Sequence, residues 1–141
     1  MSLTDPNRLA GRNGVTGATP VPKRSAHLEV AVPQLMRQPD EVLAPLEVAD
    51  TAVKRARGLL GRDGLAGALL LRPCSSVHTF RMRFVLDIAY LDKHLIVLDT
   101  VRMPPGRLGR PRLSARAVLE AEAGSFERWG LRPGDRLGIG T

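Results

Sequence analysis

The clearest pattern of apolar and polar positions lies at residues 77–91, VHTFRMRFVLDIAYL. After His78 the even-numbered positions are apolar as far as Tyr90, whereas most polar and charged side chains stand at odd positions. A period of two is typical of a β-strand that turns one face to a hydrophobic core. Because the segment is far longer than the ~5–6 residues of an ordinary strand, we expect it to bend or divide near Arg83–Val85.

Four shorter segments carry similar patterns. We expect strands at residues 42–51, 67–73, 93–103 and 117–124, which are bounded by glycine, proline or polar turns. In the last of these segments glutamates alternate with small or apolar residues. This alternation predicts a half-buried strand with Glu120 on its polar face.

Two segments favour short helices. Asp50 or Thr51 can cap a helix over residues 52–60, in which apolar side chains recur at helical spacing, and Ser125 can cap one further turn. Many short strands with glycine and proline turns, together with two short helices, indicate a mainly β (α+β) fold. We therefore predict a jelly-roll-like β-sandwich or barrel.

The first 41 residues differ in composition from the rest. Residues 1–26 are rich in glycine, proline, threonine, asparagine and arginine and have no apolar period, which predicts a flexible tail. HLEVAV, at residues 27–32, alternates and predicts at most one edge strand before two prolines interrupt the pattern. The chain is therefore divided into an N-terminal extension, residues 1–41, and a compact β domain, residues 42–141.

The overall composition narrows the class of protein. With 43% hydrophobic and 25% charged residues the chain is typical of a globular domain, and its single cysteine cannot form an internal disulfide. No segment approaches the ~20 apolar residues of a membrane span. Residues 1–30 also lack the apolar stretch of a secretory signal, so we expect a cytoplasmic protein.

The net charge of +7 comes almost entirely from arginine. Residues 102–116, RMPPGRLGRPRLSAR, have no acidic residue between Asp99 and Glu120 and form a candidate nucleic-acid segment. However, only 4% of the residues are aromatic, which is few for base stacking, and the prolines of the segment oppose a recognition helix. We expect a solvated loop that binds nucleic acid weakly. Its arginines are Arg102, Arg107, Arg110, Arg112 and Arg116.

Cys74, His78 and Asp87 are the candidate catalytic residues. On an extended chain Cys74 and His78 point the same way, but a nucleophilic pair needs a third group that orients the base. A buried thiol beside a hydrogen-bonded histidine is the simpler interpretation. A zinc site would need further ligands, and the spacing matches no zinc signature. We therefore expect neither a metal nor a cofactor.

Asp87 stands in the middle of the predicted long strand among apolar neighbours. An unpaired carboxylate would be costly at such a position, and Arg83 lies on the same face of the strand. We expect a structural ion pair between Asp87 and Arg83, and a catalytic carboxylate is the alternative.

Three segments, taken together and in this order, resemble a known family. LEVADTAVKRARGLLGR, HTFRMRFVLDIAYLD and AVLEAEAGSFERWGLRPGDRL, within roughly residues 45–139, are similar to domain of unknown function 192 (DUF192). The resemblance implies a small, mostly β, jelly-roll-like fold without an established activity. Its helix motif corresponds to residues 55–62, its L-D-I strand to residues 86–88, and its closing G-D to Gly134 and Asp135. Where many members have a W-M-K-N-T-type run and a proline, this chain has His-Thr-Phe and a valine.

Three functional classes remain open. The first is a non-catalytic binding or accessory module for a small or anionic ligand or a protein partner, because β domains commonly carry ligand sites in their loops. The second is a hydrolase or transferase that uses Cys74 and His78, and the third is weak nucleic-acid binding through residues 102–116. The sequence favours the first. Its predicted ligand-binding residues are Arg57, Arg62, His78, Arg81, Arg83 and Asp87.

Overall fold

The computed structural model describes residues 32–141, and this part of the chain is mainly β with two short helices, as predicted. The predicted tail at residues 1–26 and nearly all of the predicted edge strand at residues 27–32 lie outside the described residues. The elements in chain order are β1 (Gln34–Arg37), β2 (Glu41–Ala49), α1 (Ala52–Arg57), β3 (Ala68–Leu71), β4 (Leu86–Leu91), β5 (Val97–Met103), β6 (Ala117–Glu122), α2 (Ser125–Trp129) and β7 (Leu137–Gly140).

The seven strands form one mixed sheet in the order β5-β4-β6-β3-β2-β1-β7. All neighbours are antiparallel except β2 and β3, which run parallel. The sheet curls until the chain just before β5 meets the chain just before β7. There Ile96 bridges Arg136, and the N–H of Leu137 donates to the carbonyl of Leu95 at 2.9 Å. At this end the sheet therefore closes on itself like a barrel.

Apolar side chains cover both faces of the central strands. Because side chains alternate between faces, Ala89 and Leu91 of β4 enter a cluster inside the curl, to which all seven strands contribute. Ile88 and Tyr90 enter a second cluster on the outer face, which Leu59 behind α1 helps to cover. β3 and β4 are buried at every position, and β6 at every position except its last. A polar side chain on these three strands is therefore removed from bulk water.

The predicted long strand divides, as expected, and only its second half is β4. Its first half, residues 77–85, is a loop anchored by Thr79, whose hydroxyl donates to the carbonyl of Pro104 at 2.7 Å and accepts the N–H of Arg107 at 2.9 Å. The predicted apolar face is wrong in this loop, since Thr79 is fully buried and Phe80 is 47% exposed. Hydrogen bonds to a distant loop decide which side chain turns inward.

The first helix is capped as predicted but is shorter. The side chain of Thr51 accepts the N–H of Lys54 at 3.2 Å. The sequence predicts a helix over residues 52–60, but the helix ends at Arg57, before Gly58, and none of its residues is buried. Gly58 has a φ of +46°, which suits glycine, and the turn it makes sends Leu59 into the outer cluster.

β1 lies upstream of residue 42, where the sequence places the start of the compact domain. It pairs with β2 on one side and with β7 on the other, so residues 34–37 belong to the sheet. The strand has four residues, QLMR, and stands between two prolines. A segment of this length is too short to show a period of two.

Asp87 joins three elements through its carboxylate, which is almost fully buried. One oxygen accepts Nε of Arg102 on β5 at 3.0 Å, and the other accepts the backbone N–H groups of Gly124 and Phe126 at 2.9 and 3.2 Å. Because α2 has no capping side chain of its own, Asp87 caps this helix from β4.

Two predictions about this region are wrong. Arg83, the expected partner of Asp87, pairs with Asp63 at 3.1 Å, because the loop at residues 77–85 carries it away from the sheet. Ser125, the expected cap of α2, is buried as the first residue of the helix, and a glycine with left-handed backbone occupies the cap position.

Replacing Asp87 with alanine is expected to lower the free energy of unfolding by ~2–4 kcal/mol, because it leaves two N–H groups at the start of α2 unpaired and removes the buried half of an ion pair. Asp99→Ala is the matched control. It also removes an arginine partner, but the Asp99 side chain is 49% exposed, so its loss should stay below about 1 kcal/mol. Urea denaturation measures both, and equal losses would contradict the structural role of Asp87.

Candidate functional site

A cavity of about 190 Å³ opens over the outer face of the sheet. The end of α1 and the turn after it form one side, and the chain from Leu71 to His78 forms the other. Leu59, Val77 and other apolar side chains make up most of the wall. We call it the Glu120 cavity, after the acidic side chain that the described residues contribute to its lining.

Glu120 lies in the middle of β6, opposite Leu69 of β3 and Ile88 of β4. Its side chain is 7% exposed, and residues 32–141 supply it with neither a hydrogen bond nor an ion pair. Because removal from water penalises the charged form, burial raises the pKa of Glu120 from its ordinary value of 4.5 to about 7. Near neutral pH this carboxyl group is therefore present in both charged and neutral forms.

The prediction that Glu120 stands on a polar face is wrong. β6 runs between β3 and β4, and Leu59 and Val77 belong to the cluster that covers this face of the sheet. A period of two shows which side chains share a face, but not whether another part of the chain covers that face. The sequence signal for the burial of Glu120 is that it stands as a single glutamate between apolar neighbours in AVLEA.

Cys74 and His78 line the Glu120 cavity together, as the hypothesis of a catalytic pair requires. The thiol of Cys74 donates to the carbonyl of Ser76 at 3.2 Å, and no hydrogen bond in the described part of the chain joins it to the imidazole. Burial raises the pKa of the Cys74 thiol, and the charge of Glu120 adds to this rise. Nucleophilic cysteines have a lowered pKa, so the thiol is not activated here.

The cavity also gathers Arg57 from the predicted ligand-binding residues, together with Arg55, which the sequence did not single out. The guanidinium of Arg55 donates to two backbone carbonyls, at 3.1 and 3.4 Å. Neither arginine forms an ion pair with an acid among residues 32–141, so both add positive charge to the cavity. The imidazole of His78 is exposed and stacks on Phe80, with ring centroids 5.0 Å apart.

The other predicted ligand-binding residues lie elsewhere. Arg62 pairs with Glu47 at 2.8 Å, and Arg81 is exposed in the loop with a φ of +62°. Arg83 forms its ion pair in the same loop, and Asp87 faces the opposite side of the sheet. The structure therefore does not bring the six residues together in one site.

Three of the five arginines in the candidate nucleic-acid segment are held by other groups. Arg102 pairs with Asp87 at 3.0 Å and Arg112 with Asp99 at 2.9 Å, while Arg116 donates to two backbone carbonyls. Although residues 102–116 contain no acidic residue, acids outside this segment neutralise two of its arginines.

Within residues 32–141, no three His, Cys, Asp or Glu side chains stand close enough together to hold a metal ion. Neither helix of this part of the chain is long and apolar enough to cross a membrane.

Comparison with known proteins relates most of the described chain to one family. The family model DUF192, described as uncharacterized ACR, matches residues 35–139, which include the three segments that carry the predicted resemblance. A UPF0127 protein of Pyrococcus horikoshii is 28% identical over 97 residues, which cover 65% of this chain and 84% of the relative. The resemblance is therefore confirmed.

Two crystal structures share the fold. A protein of unknown function from Novosphingobium aromaticivorans aligns with a TM-score of 0.64 and 22% identity, over 76% of this chain and 83% of its own. A Sinorhizobium meliloti protein, proposed to be a transcription regulator, aligns with a TM-score of 0.65 and 20% identity, over 76% of this chain and 91% of its own. At these identities the likeness concerns the fold alone.

The free energy of unfolding is expected to depend on pH through Glu120. Its pKa is about 7 in the folded protein against an ordinary value of 4.5, so the folded state binds the additional proton between these values. The stability that depends on Glu120 is therefore fully present below about pH 4.5, and it is lost as the pH rises through about 7. The full difference is about 3 kcal/mol.

Glu120→Gln keeps the shape of the side chain and removes the charge, so it should lose this dependence. The difference in unfolding free energy between variant and wild type should change by about 3 kcal/mol between about pH 4 and about pH 8. Glu122→Gln, at the exposed end of the same strand, should keep the wild-type profile. Parallel profiles for wild type and Glu120→Gln in urea denaturation would exclude the assignment.

Proposed function

Because the chain belongs to the DUF192 family, which has no established function, we propose its function from its own site: a small binding module that holds an organic ligand in the Glu120 cavity. The single observation that carries the proposal is the buried, unpartnered carboxyl group of Glu120 in the lining of this cavity. Small-molecule sites commonly combine mostly apolar walls with a few polar groups that orient the ligand.

A buried carboxyl group without a partner weakens the fold. Asp87 has three hydrogen bonds to offset its desolvation, whereas Glu120 has none among residues 32–141. An apolar side chain at the same place would pack on Leu69 and Ile88 without this penalty. Groups that destabilise the folded state and face a cavity are typical of functional sites. A ligand that donates hydrogen bonds to Glu120 would remove the penalty.

The size of the cavity limits the ligand. A volume of about 190 Å³ lies below the ~300–1,000 Å³ of sites for drug-sized molecules. The ligand is therefore a compound of few heavy atoms, or one end of a longer molecule that continues past the exposed Arg57 and His78.

Catalysis through Cys74 is a second candidate, because Cys74, His78 and Glu120 all line the cavity. These are the side-chain types of a cysteine–histidine–acid triad. Against this candidate, burial raises the pKa of the thiol, and its hydrogen points to the carbonyl of Ser76. The binding module is the better supported function.

Nucleic-acid binding has less support. Arg102 and Arg112 already have acidic partners, which leaves fewer charges to release counterions from a phosphate backbone. The proposal made for the Sinorhizobium meliloti protein would favour a role in transcription, but a likeness at 20% identity carries the fold only.

The binding proposal is tested with Cys74, the one cysteine of the chain, as a reporter of occupancy. Maleimide labelling of Cys74 is expected to be slow, because burial raises the pKa of the thiol, and to become slower when a probe fills the cavity. The probes are butylamine, butyramide, butanol and butyrate, which have similar chains and different polar ends. We expect at least one of them to protect Cys74.

Ala56→Phe is the matched variant for this experiment, because Ala56 is exposed on α1 and lines the cavity. Phenylalanine there should occupy the cavity and abolish protection by every probe. Ala52→Phe, on the same helix and outside the cavity, should keep it. Absence of protection in the wild type, or protection that survives in Ala56→Phe, would refute a ligand site. Labelling faster than that of free cysteine would favour catalysis instead.

A further inference from the structure

We propose that the ligand of the Glu120 cavity is a small zwitterion, whose ammonium group pairs with Glu120 and whose anionic group meets Arg55 and Arg57. This inference rests on the proposed function and adds the chemical class of the ligand. It follows from two parts of the cavity that require opposite charges.

The inner part of the cavity requires a hydrogen-bond donor. The carboxylate of Glu120 offers up to ~four acceptor positions, and the described residues use none of them. The walls formed by Leu59, Leu71 and Val77 have no donor side chains, and the thiol of Cys74 donates to a backbone carbonyl. In surroundings of low polarity, a charged nitrogen with its own N–H groups is the strongest partner for a carboxylate.

The outer part of the cavity favours an anion. Arg57 is exposed and Arg55 is partly exposed, and both line the cavity. Arg55 donates only to neutral carbonyls, and neither guanidinium has an acidic partner among residues 32–141. Arg62, five residues after Arg57 in the chain, is by contrast neutralised by Glu47. A guanidinium group matches a carboxylate in a geometry with two parallel hydrogen bonds.

Neither charge alone satisfies both parts. A simple amine has to pass two guanidinium groups that no acid among residues 32–141 neutralises, and a simple anion meets the carboxylate of Glu120. A molecule with both charges is attracted at each end. At about 190 Å³, the cavity is smaller than the ~300–1,000 Å³ of sites for drug-sized molecules. The two charged groups are therefore separated by only a few atoms.

The test compares three probes of similar length: 4-aminobutyrate, butylamine and butyrate. Dissociation constants are measured by protection of Cys74 and by calorimetry. We expect 4-aminobutyrate to bind most tightly and butyrate least. Glu120→Gln should weaken both amines, whereas Arg57→Gln should weaken 4-aminobutyrate and not butylamine. Arg62→Gln is the control and should change neither.

Binding should also depend on pH, because an ammonium group pairs with the ionised form of Glu120. With a pKa of about 7, the ionised fraction rises from roughly a tenth at about pH 6 to roughly nine tenths at about pH 8, and the apparent affinity for 4-aminobutyrate should rise about tenfold. The other charged or titratable groups around the cavity are Arg55 and Arg57 of α1, and Cys74 and His78 opposite. His78→Asn and Cys74→Ala should keep the rise, and Glu120→Gln should abolish it.

Several results would contradict a zwitterionic ligand without contradicting the ligand site itself. These are butyrate binding as tightly as 4-aminobutyrate, a wild-type affinity that does not change between about pH 6 and about pH 8, and a rise that survives in Glu120→Gln. The pH dependence of the wild-type affinity tests the zwitterion proposal even if Glu120→Gln does not fold. If no probe, charged or neutral, protects Cys74, the proposed function itself fails.

Discussion

Both faces of β3, β4 and β6 are covered by apolar side chains, and the rest of the structure depends on this burial. The sheet curls until its ends meet near Ile96 and Arg136, so that one cluster fills the inside. The segments around α1 and after β5 cover the outside. Removal of this apolar surface from water is the main term that stabilises the fold. It also makes a buried polar group on the three strands costly unless the protein or a ligand supplies a partner.

Asp87 and Glu120 show two outcomes of this constraint on neighbouring strands. They are 4% and 7% exposed and stand on opposite faces, since Asp87 is in register with Ala121 and Glu120 with Ile88. Asp87 is held by an arginine and two backbone N–H groups, so its charge is part of the fold. Glu120 has no such group in the described chain, and burial raises its pKa. The first carboxylate connects elements, and the second is available to a ligand.

The sequence predicts well the features that depend on neighbouring residues. The mainly β class, the cap at Thr51 and the division of the long strand before Leu86 all follow from local patterns and turn residues. The failures have a common cause, because a period of two carries no information about contacts with distant parts of the chain. Such contacts give Asp87 its arginine from β5 instead of from its own segment, and they cover the face on which Glu120 stands. The cavity itself could not be predicted, because its two walls come from separate segments.

The pairing of β1 with β7 has a consequence for the synthesis of the chain. Gln34 is in register with Gly140, so the edge of β1 stays open until β7 has left the ribosome. Contacts between residues this far apart in sequence form slowly, and an open strand edge invites pairing with other chains. The nascent domain therefore remains vulnerable to aggregation until β7 has emerged, and a chaperone that covers strand edges would protect it during this interval.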